Sequence, residues 1–319
     1  MGAGLALGFV VILAVALFAD LRQVASNLAG FEWRLAPLIL LCTLFNYTLR
    51  FFKWHYYLGL IGVRDLSLKE SARLFVGGFP LAVTPGKLGE ALKAVWLKRA
   101  SGAPLAKGVT VVLAERLSDG LAVLGLSTLG VIAYPRYWPA FAAILTALLA
   151  VVALSQLRGL AEPALRLASR LPLLGRLSQG MWDFYEGARI LLRPAPTALA
   201  VSLGVVAWLG EGVAMYLVLL GLGLPAGWGP FGVAVFVLSF STVVGAVSTL
   251  PGGLLAVEAS IAGMLTLLLA LPAPVAASAT LLIRFATLWF GVTLGLLVWA
   301  FSPGLITLDT AANGIPISR

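Results

Sequence analysis

Residues 84–90 read Thr-Pro-Gly-Lys-Leu-Gly-Glu, and they interrupt an apolar region of the chain. The apolar run before this stretch, Leu74 to Thr84, is short, and the run after it, Glu90 to Arg99, is basic. A transmembrane helix needs about 20 apolar residues, so neither run crosses a bilayer comfortably. Paired short segments around a Pro-Gly break are typical of a re-entrant hairpin, whose irregular backbone is buried in protein or lines a wet cavity.

A related stretch, Leu250-Pro-Gly-Gly-Leu-Leu-Ala-Val-Glu258, breaks a second apolar pair in the last third of the chain. In each half, an arginine inside an apolar segment follows the proline of the break. The separation from Pro85 to Arg116 is nearly the same as the separation from Pro251 to Arg284. These similar surroundings predict an internal repeat.

We predict that residues 35–133 form the first repeat and residues 197–302 the second, within one transmembrane domain that covers 1–319. Two full spans and one even-numbered hairpin lie between the helix that carries Arg50 and the helix that carries Glu211, so the repeats run in opposite directions. Inverted repeats with discontinuous helices are typical of alternating-access transporters, which bind substrate near the middle of the membrane.

The composition of the 319 residues supports a membrane location. Hydrophobic residues make up 61% of the chain and charged residues only 11%, whereas soluble domains carry about 25% charge. A soluble enzyme is therefore excluded, and the single cysteine and single histidine exclude a disulfide framework or a zinc site. The net charge of +9 indicates loops that face anionic lipid rather than a nucleic-acid partner.

The fold class predicted is an all-α polytopic membrane protein with two Pro/Gly-broken hairpins, re-entrant or short-span. Six apolar segments are expected to cross in full: Leu5–Phe18, Leu35–Gly62, Lys107–Ala133, Trp138–Leu157, Ala198–Leu224 and Val275–Phe301.

The connection 158–196 is the long polar segment of the chain, and it carries six arginines with leucines at helical spacing. This pattern predicts an amphipathic helix at the membrane surface, and a solvated loop helix is the alternative. Pro163 and Pro172 are expected to divide it into short pieces. Its basic residues place it in the cytoplasm, which puts both termini on the same side of the cell membrane.

Eight charged residues fall inside apolar segments: Arg50, Lys53, Glu115, Arg116, Asp119, Glu211, Glu258 and Arg284. A charge at the bilayer centre costs from about 2.5 to over 10 kcal/mol, so these side chains must face inward and be partnered. One interpretation is that they neutralise each other as packing pairs. The other is a polar cavity in which Arg50, Arg116 and Arg284 bind an anionic group such as phosphate.

The remaining candidate residues have supporting roles in the second interpretation. The acids, including Glu90, would hold the arginines, bind a cationic part of a head group or carry protons. The two turns would bring backbone NH groups and close-approaching glycines to an anion; these turns are Pro85-Gly86 and Pro251-Gly252-Gly253.

The same motifs, taken in order, resemble the signature series of the lysylphosphatidylglycerol synthase transmembrane region, a flippase-like family. They are Arg50-Phe-Phe-Lys-Trp54, Thr84-Pro-Gly-Lys-Leu-Gly-Glu90, Glu115-Arg-Leu-Ser-Asp119, Leu250-Pro-Gly-Gly253 with Glu258, and Arg284. Lys87 departs from the arginine expected after Pro-Gly.

In two-part family members this region flips lipid and a soluble domain transfers lysine from its tRNA. Little of the chain follows Arg284, so we expect no synthase activity.

The resemblance implies a lipid flippase that translocates a phospholipid or a lipid-linked head group, either polyprenyl-phosphate or aminoacylated, with a membrane lipid as partner. The alternative is an ion-coupled transporter or channel for a small water-soluble anion. A membrane enzyme with Glu115 and Asp119 as acid and base is disfavoured, because no metal cluster or activated nucleophile is evident. We expect no cofactor, and no ATP-binding Walker motif is present. The coupling ion, transport direction and homo-oligomerisation stay open.

Overall fold

The computed structural model describes residues 20–84, 89–133, 138–171, 175–302 and 304, and these residues form helices without strands. The predicted first span, Leu5–Phe18, lies outside them. The α-helices are α1 Leu21–Ala29, α2 Ala36–Leu60, α3 Leu68–Gly77, α4 Leu92–Ser101, α5 Leu105–Ala133, α6 Trp138–Gln156, α7 Arg158–Ser169, α8 Ser178–Leu191, α9 Pro194–Gly221, α10 Trp228–Val247, α11 Ala256–Leu269, α12 Ala273–Arg284 and α13 Phe290–Phe301.

Five helical segments of the described chain are long and apolar enough to cross a membrane: Trp33–Leu60, Pro194–Gly221, Trp228–Val247, Pro251–Leu269 and Ala273–Phe301. A sixth is formed if α6 and α7, which meet at a bend of 75°, count as one broken span. Helix α5 has 29 residues, a length of about 43 Å at 1.5 Å per residue, which exceeds the thickness of the hydrocarbon core. It carries Glu115, Arg116 and Asp119 and is not among these apolar segments. The chain is thus an all-α polytopic membrane protein.

The first broken pair consists of α3 and α4, which have 10 residues each. At about 15 Å, each is half the thickness of the hydrocarbon core, as the sequence predicts. Helix α3 begins with a capping box, in which the Ser67 side chain accepts from the Glu70 backbone and Glu70 accepts from the Ser67 backbone. A 3₁₀ segment, Phe79–Val83, follows α3.

The second broken pair differs from the first in length. Helix α10 has 20 residues, and Pro251–Leu269 also meets the length and apolarity of a span, so length favours two short spans here over re-entry. The break itself is abrupt. Gly252 and Gly253 have φ of 61° and 66°, while Thr249 and Leu255 adopt left-handed φ without being glycine. Such strained positions cluster at binding sites and switch regions.

The last span is helical from Ala273 to Phe301 but changes pitch directly after Arg284. Residues Phe285–Trp289 form a π-helical turn, a feature that is frequent at functional sites. The Tyr47 hydroxyl of α2 donates a hydrogen bond to the Thr287 carbonyl within this turn. The turn is therefore stabilised by a residue that lies 240 positions earlier in the chain.

Pro163 does not divide the connection as expected, because it lies inside α7, which runs from Arg158 to Ser169. Proline lacks the NH that would bond to the carbonyl of Gly159, four residues earlier. Gly159 is exposed, so solvent can hydrate that carbonyl, and the helix continues. The predicted break at Pro172 lies outside the described residues.

The two breaks lie against each other inside the molecule. Val83 of the first break packs with Leu254, next to the second break, and with Val292 of α13. A Cβ atom on Gly252 would lie 3.8 Å from the Val83 Cα. Segments from opposite halves of the chain thus meet, and both contribute to the lining of a cavity.

Candidate functional site

A cavity of about 670 Å³ lies between both broken pairs, α2, α5, α6, α9 and the final span. Seven charged side chains line it: Arg50, Glu90, Lys93, Arg116, Asp119, Glu211 and Arg284. Five of the eight predicted charged residues, namely Arg50, Arg116, Asp119, Glu211 and Arg284, are among them. The structure also brings Gly252 and Gly253 to this cavity.

Asp119 of α5 is held between two cations of α2. The Arg50 Nη2 lies 3.2 Å from Asp119 Oδ2, and the Lys53 Nζ donates to Oδ1. Arg50 and Lys53 share one helical face because they are three residues apart, and Asn46 and Tyr57 continue that face inward. Lys53 is fully buried and does not line the cavity, so it neutralises the charge of Asp119 from outside the cavity lining.

A second buried pair joins α4 and α5. The Lys93 Nζ donates to Glu115 Oε2 at 2.8 Å and lies 4.2 Å from the ring centroid of Trp54, a cation–π contact. Glu115 is fully buried and does not line the cavity. Lys93 is not among the site residues predicted from the sequence, because its helix resembles a basic surface segment. Its spacing of three from Glu90 is the signal that places both on one face.

Two further pairs connect each broken segment to the helix after it. Arg116 Nε lies 3.0 Å from Glu90 Oε2, and Arg284 Nε lies 2.5 Å from Glu258 Oε1. In both pairs the glutamate precedes the arginine, and the sequence separation is the same. Arg284 also donates from Nη2 to the Gly252 carbonyl at 3.0 Å, which fixes the second break.

Glu211 of α9 also lines the cavity. It is close enough to Arg50 and Arg284 to interact with both electrostatically. Each of these arginines forms its ion pair with a different carboxylate, Asp119 or Glu258. Because Arg50 also lies over the Trp208 ring at 5.7 Å, the α9 wall presents an acid and an aromatic face side by side.

The arginines are more accessible than the lysines. The side chains of Arg116, Arg50 and Arg284 are 31%, 12% and 12% exposed, whereas those of Lys53 and Lys93 are 1% and 4% exposed. Among the cations that line the cavity, the guanidinium groups are thus more exposed than Lys93, and a guanidinium presents a planar fork suited to phosphate.

The remaining predicted residues lie elsewhere. Glu258 supports Arg284 from outside the cavity lining, and Pro251 begins the 3₁₀ turn without lining the cavity. Pro85 and Gly86 lie outside the described residues, so their predicted contact with a ligand stays a prediction. Within the described ranges, no three His, Cys, Asp or Glu side chains are placed to hold a metal ion.

The chain is similar to known membrane proteins. Residues 4–295 match the family model described as the lysylphosphatidylglycerol synthase TM region. A UPF0104 membrane protein from Methanothermobacter thermautotrophicus is 25% identical, over 91% of this chain and 90% of that relative. No solved structure matches the chain. Since the family model covers most of its residues, the chain belongs to the lysylphosphatidylglycerol synthase TM region family, as its motifs predict.

Proposed function

We propose that the protein is a lipid flippase of the cytoplasmic membrane that moves a lipid head group through this cavity. The observation that supports it most directly is the combination of arginines inside the cavity with apolar side chains at its edge. Leu113, Val247 and Leu250 line the cavity and are also exposed on the surface of the molecule. An amphiphile fits such a cavity, because its head group reaches the charges while its acyl chains stay in the bilayer.

Arg50, Arg116 and Arg284 bind the phosphate of the head group in this proposal. Each is already paired with a carboxylate, so the arginine stays charged and oriented when the cavity is empty. Phosphate competes with the carboxylate for the same guanidinium fork. Glu211, near two of the three arginines, is placed to receive a cationic part of a head group or a coupling ion.

The repeats 35–133 and 197–302 and their inverted orientation belong to the same proposal. The equal spacing of Glu90–Arg116 and Glu258–Arg284 supports the repeat, as does the contact between the two breaks. In alternating access, one broken segment opens while its counterpart stays closed around the midplane site. The connection 158–196 and both termini would then face the cytoplasm.

Transport of a small water-soluble anion is the second candidate function. The arginines in the cavity support it as well as they support lipid transport. Only the apolar edge distinguishes the two functions, because a soluble anion gains nothing from exposed leucine and valine. The test must therefore present a lipid and a soluble anion to the same protein.

The experiment uses protein reconstituted in vesicles that contain phosphatidylglycerol with a fluorescent acyl chain, and a membrane-impermeant reductant that bleaches the outer leaflet. Arg116→Ala is expected to slow protein-dependent movement of the label about tenfold or more, because a charge-assisted hydrogen bond contributes roughly 1.5–3 kcal/mol. Arg116→Lys should recover only part of the rate, since lysine lacks the fork.

Arg34→Ala is the matched control, because the Arg34 side chain is 94% exposed and does not line the cavity. Folded protein is checked by gel filtration for every variant. Unchanged lipid movement in folded Arg116→Ala would contradict the proposal. Uptake of glycerol phosphate that depends on Arg116, without lipid movement, would favour the anion transporter.

A further inference from the structure

Helix α7 leaves α6 at an angle of 75° and has no buried residue. The sequence predicts that Trp138–Leu157 crosses the membrane, and if α6 is that span, a helix at 75° to it lies close to the plane of the membrane. Leu160 and Leu167 of α7 are 66% and 65% exposed, and contiguous exposed apolar side chains mark a contact with lipid or protein. We therefore expect the exposed apolar face of α7 to contact lipid or another protein.

The side chains of α7 and the two residues after it divide into distinct faces. Leu160, Leu167 and Leu171 follow a spacing of seven and four, so they form one exposed apolar stripe. Arg166 and Arg170 lie beside this stripe and are exposed.

The arginines of this segment outnumber its acids. Glu162 is 3.9 Å from Arg158 and 3.6 Å from Arg166 at their closest atoms, and it is the acid of this helix. With Arg158, Arg166 and the C-cap residue Arg170 against Glu162, the helix carries a net charge of +2. An apolar stripe flanked by arginine is the pattern of helices that lie in the interface of anionic membranes.

The remaining face of α7 packs on α8, which fixes its position relative to the cavity helix α5. The Gln156 side chain, at the bend, donates to the Arg189 carbonyl of α8 at 3.3 Å. The Thr110 hydroxyl of α5 donates to the Ala106 carbonyl at 2.8 Å and shares this hydrogen with the Phe184 carbonyl of α8, which lies 3.3 Å away. Helix α7 is therefore attached to the cavity helix α5 through α8.

We infer that α7 is a docking surface for anionic lipid. Its leucine stripe enters the head-group boundary, and Arg166 and Arg170 bind lipid phosphates beside it. A soluble protein is a poorer occupant, because the stripe is narrow and its arginine border matches a surface that is negatively charged throughout. This site is separate from the cavity and does not depend on what the cavity transports.

The test uses an environment-sensitive fluorophore on single cysteines in a Cys42→Ser background, since Cys42 is the one cysteine of the chain. Leu160→Cys carries the label on the stripe. Ser169→Cys is the matched control, because Ser169 is exposed on the opposite side of the same helix. The labelled proteins are placed in nanodiscs of phosphatidylcholine with or without phosphatidylglycerol.

We expect the label at position 160 to emit at shorter wavelength and to be quenched by spin-labelled lipid, more strongly with phosphatidylglycerol. The label at position 169 should report water. Arg166→Gln with Arg170→Gln should remove the effect of phosphatidylglycerol. Equal water exposure at both positions would overturn the inference, as would shielding at position 160 that ignores lipid charge or that requires two copies in one disc.

Discussion

At the scale of single residues, most buried charges of the described chain lie in ion pairs, whereas buried Glu211 is near two arginines that each pair with another carboxylate. Lys53 and Glu115 are completely buried, and each contacts an opposite charge on a neighbouring helix. Neither residue lines the cavity, and each neutralises the charge of a residue that does, Asp119 or Lys93. The three arginines are the most exposed cations that line the cavity.

The Lys93–Glu115 pair gives a prediction at this scale. Lys93→Met leaves Glu115 buried without its cation, which should destabilise the protein by about 3–5 kcal/mol. The double variant Lys93→Met with Glu115→Gln removes both charges and should recover most of the loss. Thermal unfolding in detergent measures the difference.

Lys98→Met serves as the control for this pair, because Lys98 is exposed on the same helix α4. It should leave the unfolding temperature unchanged. A Lys93→Met protein as stable as the wild type would show that Glu115 needs no counter-ion.

At the scale of elements, the first broken pair is held by close contact with the final span. A Cβ on Gly295 of α13 would overlap Pro80 Cδ and lie 2.8 Å from the Val76 carbonyl oxygen. The Trp299 indole donates to the Gly77 carbonyl at 2.8 Å in the same contact region. Helix α13 thus approaches the end of α3 at backbone distance.

Gly295→Ala is therefore expected to separate these elements and to cost about 1–3 kcal/mol, the usual range for overpacking. Thermal unfolding of the purified protein reports the loss. Gly263→Ala is the control, since a Cβ at that helical glycine meets nothing within 4 Å. Equal stability of the two variants would mean that α13 can move away from Pro80 without loss.

At the scale of the whole molecule, the two breaks meet beside the cavity, and this contact connects structure to the proposed transport cycle. Val83, Leu254 and Val292 form the apolar cluster between them. If the segments move apart in turn, the cluster must open during transport.

A covalent link between the breaks should then stop transport. Val83→Cys with Leu254→Cys, in the Cys42→Ser background, can be joined by a short reducible cross-linker. Lipid movement is expected to fall to the level of protein-free vesicles and to return after reduction. Each single-cysteine variant treated with the same reagent is the control, and full transport by the linked protein would contradict alternating access at this contact.

The sequence by itself determined the solvent, the helices and the presence of buried charge. Apolar composition and helical length depend on local residues, so the predicted bounds Leu35–Gly62 and Lys107–Ala133 lie close to those of α2 and α5. The family follows from the same local motifs. Proline and glycine likewise mark both breaks, because their backbone preferences act within a few residues.

Only the tertiary structure decided which charges pair and which of them reach the cavity. Lys53 and Asp119 lie 66 residues apart and Tyr47 and Thr287 lie 240 apart, so their contacts depend on how whole helices pack. In the sequence, Lys93 resembles a surface lysine, whereas in the structure it contacts Trp54 and Glu115. Burial is a property of the packed assembly, and a local pattern cannot specify which of several charged faces will be enclosed.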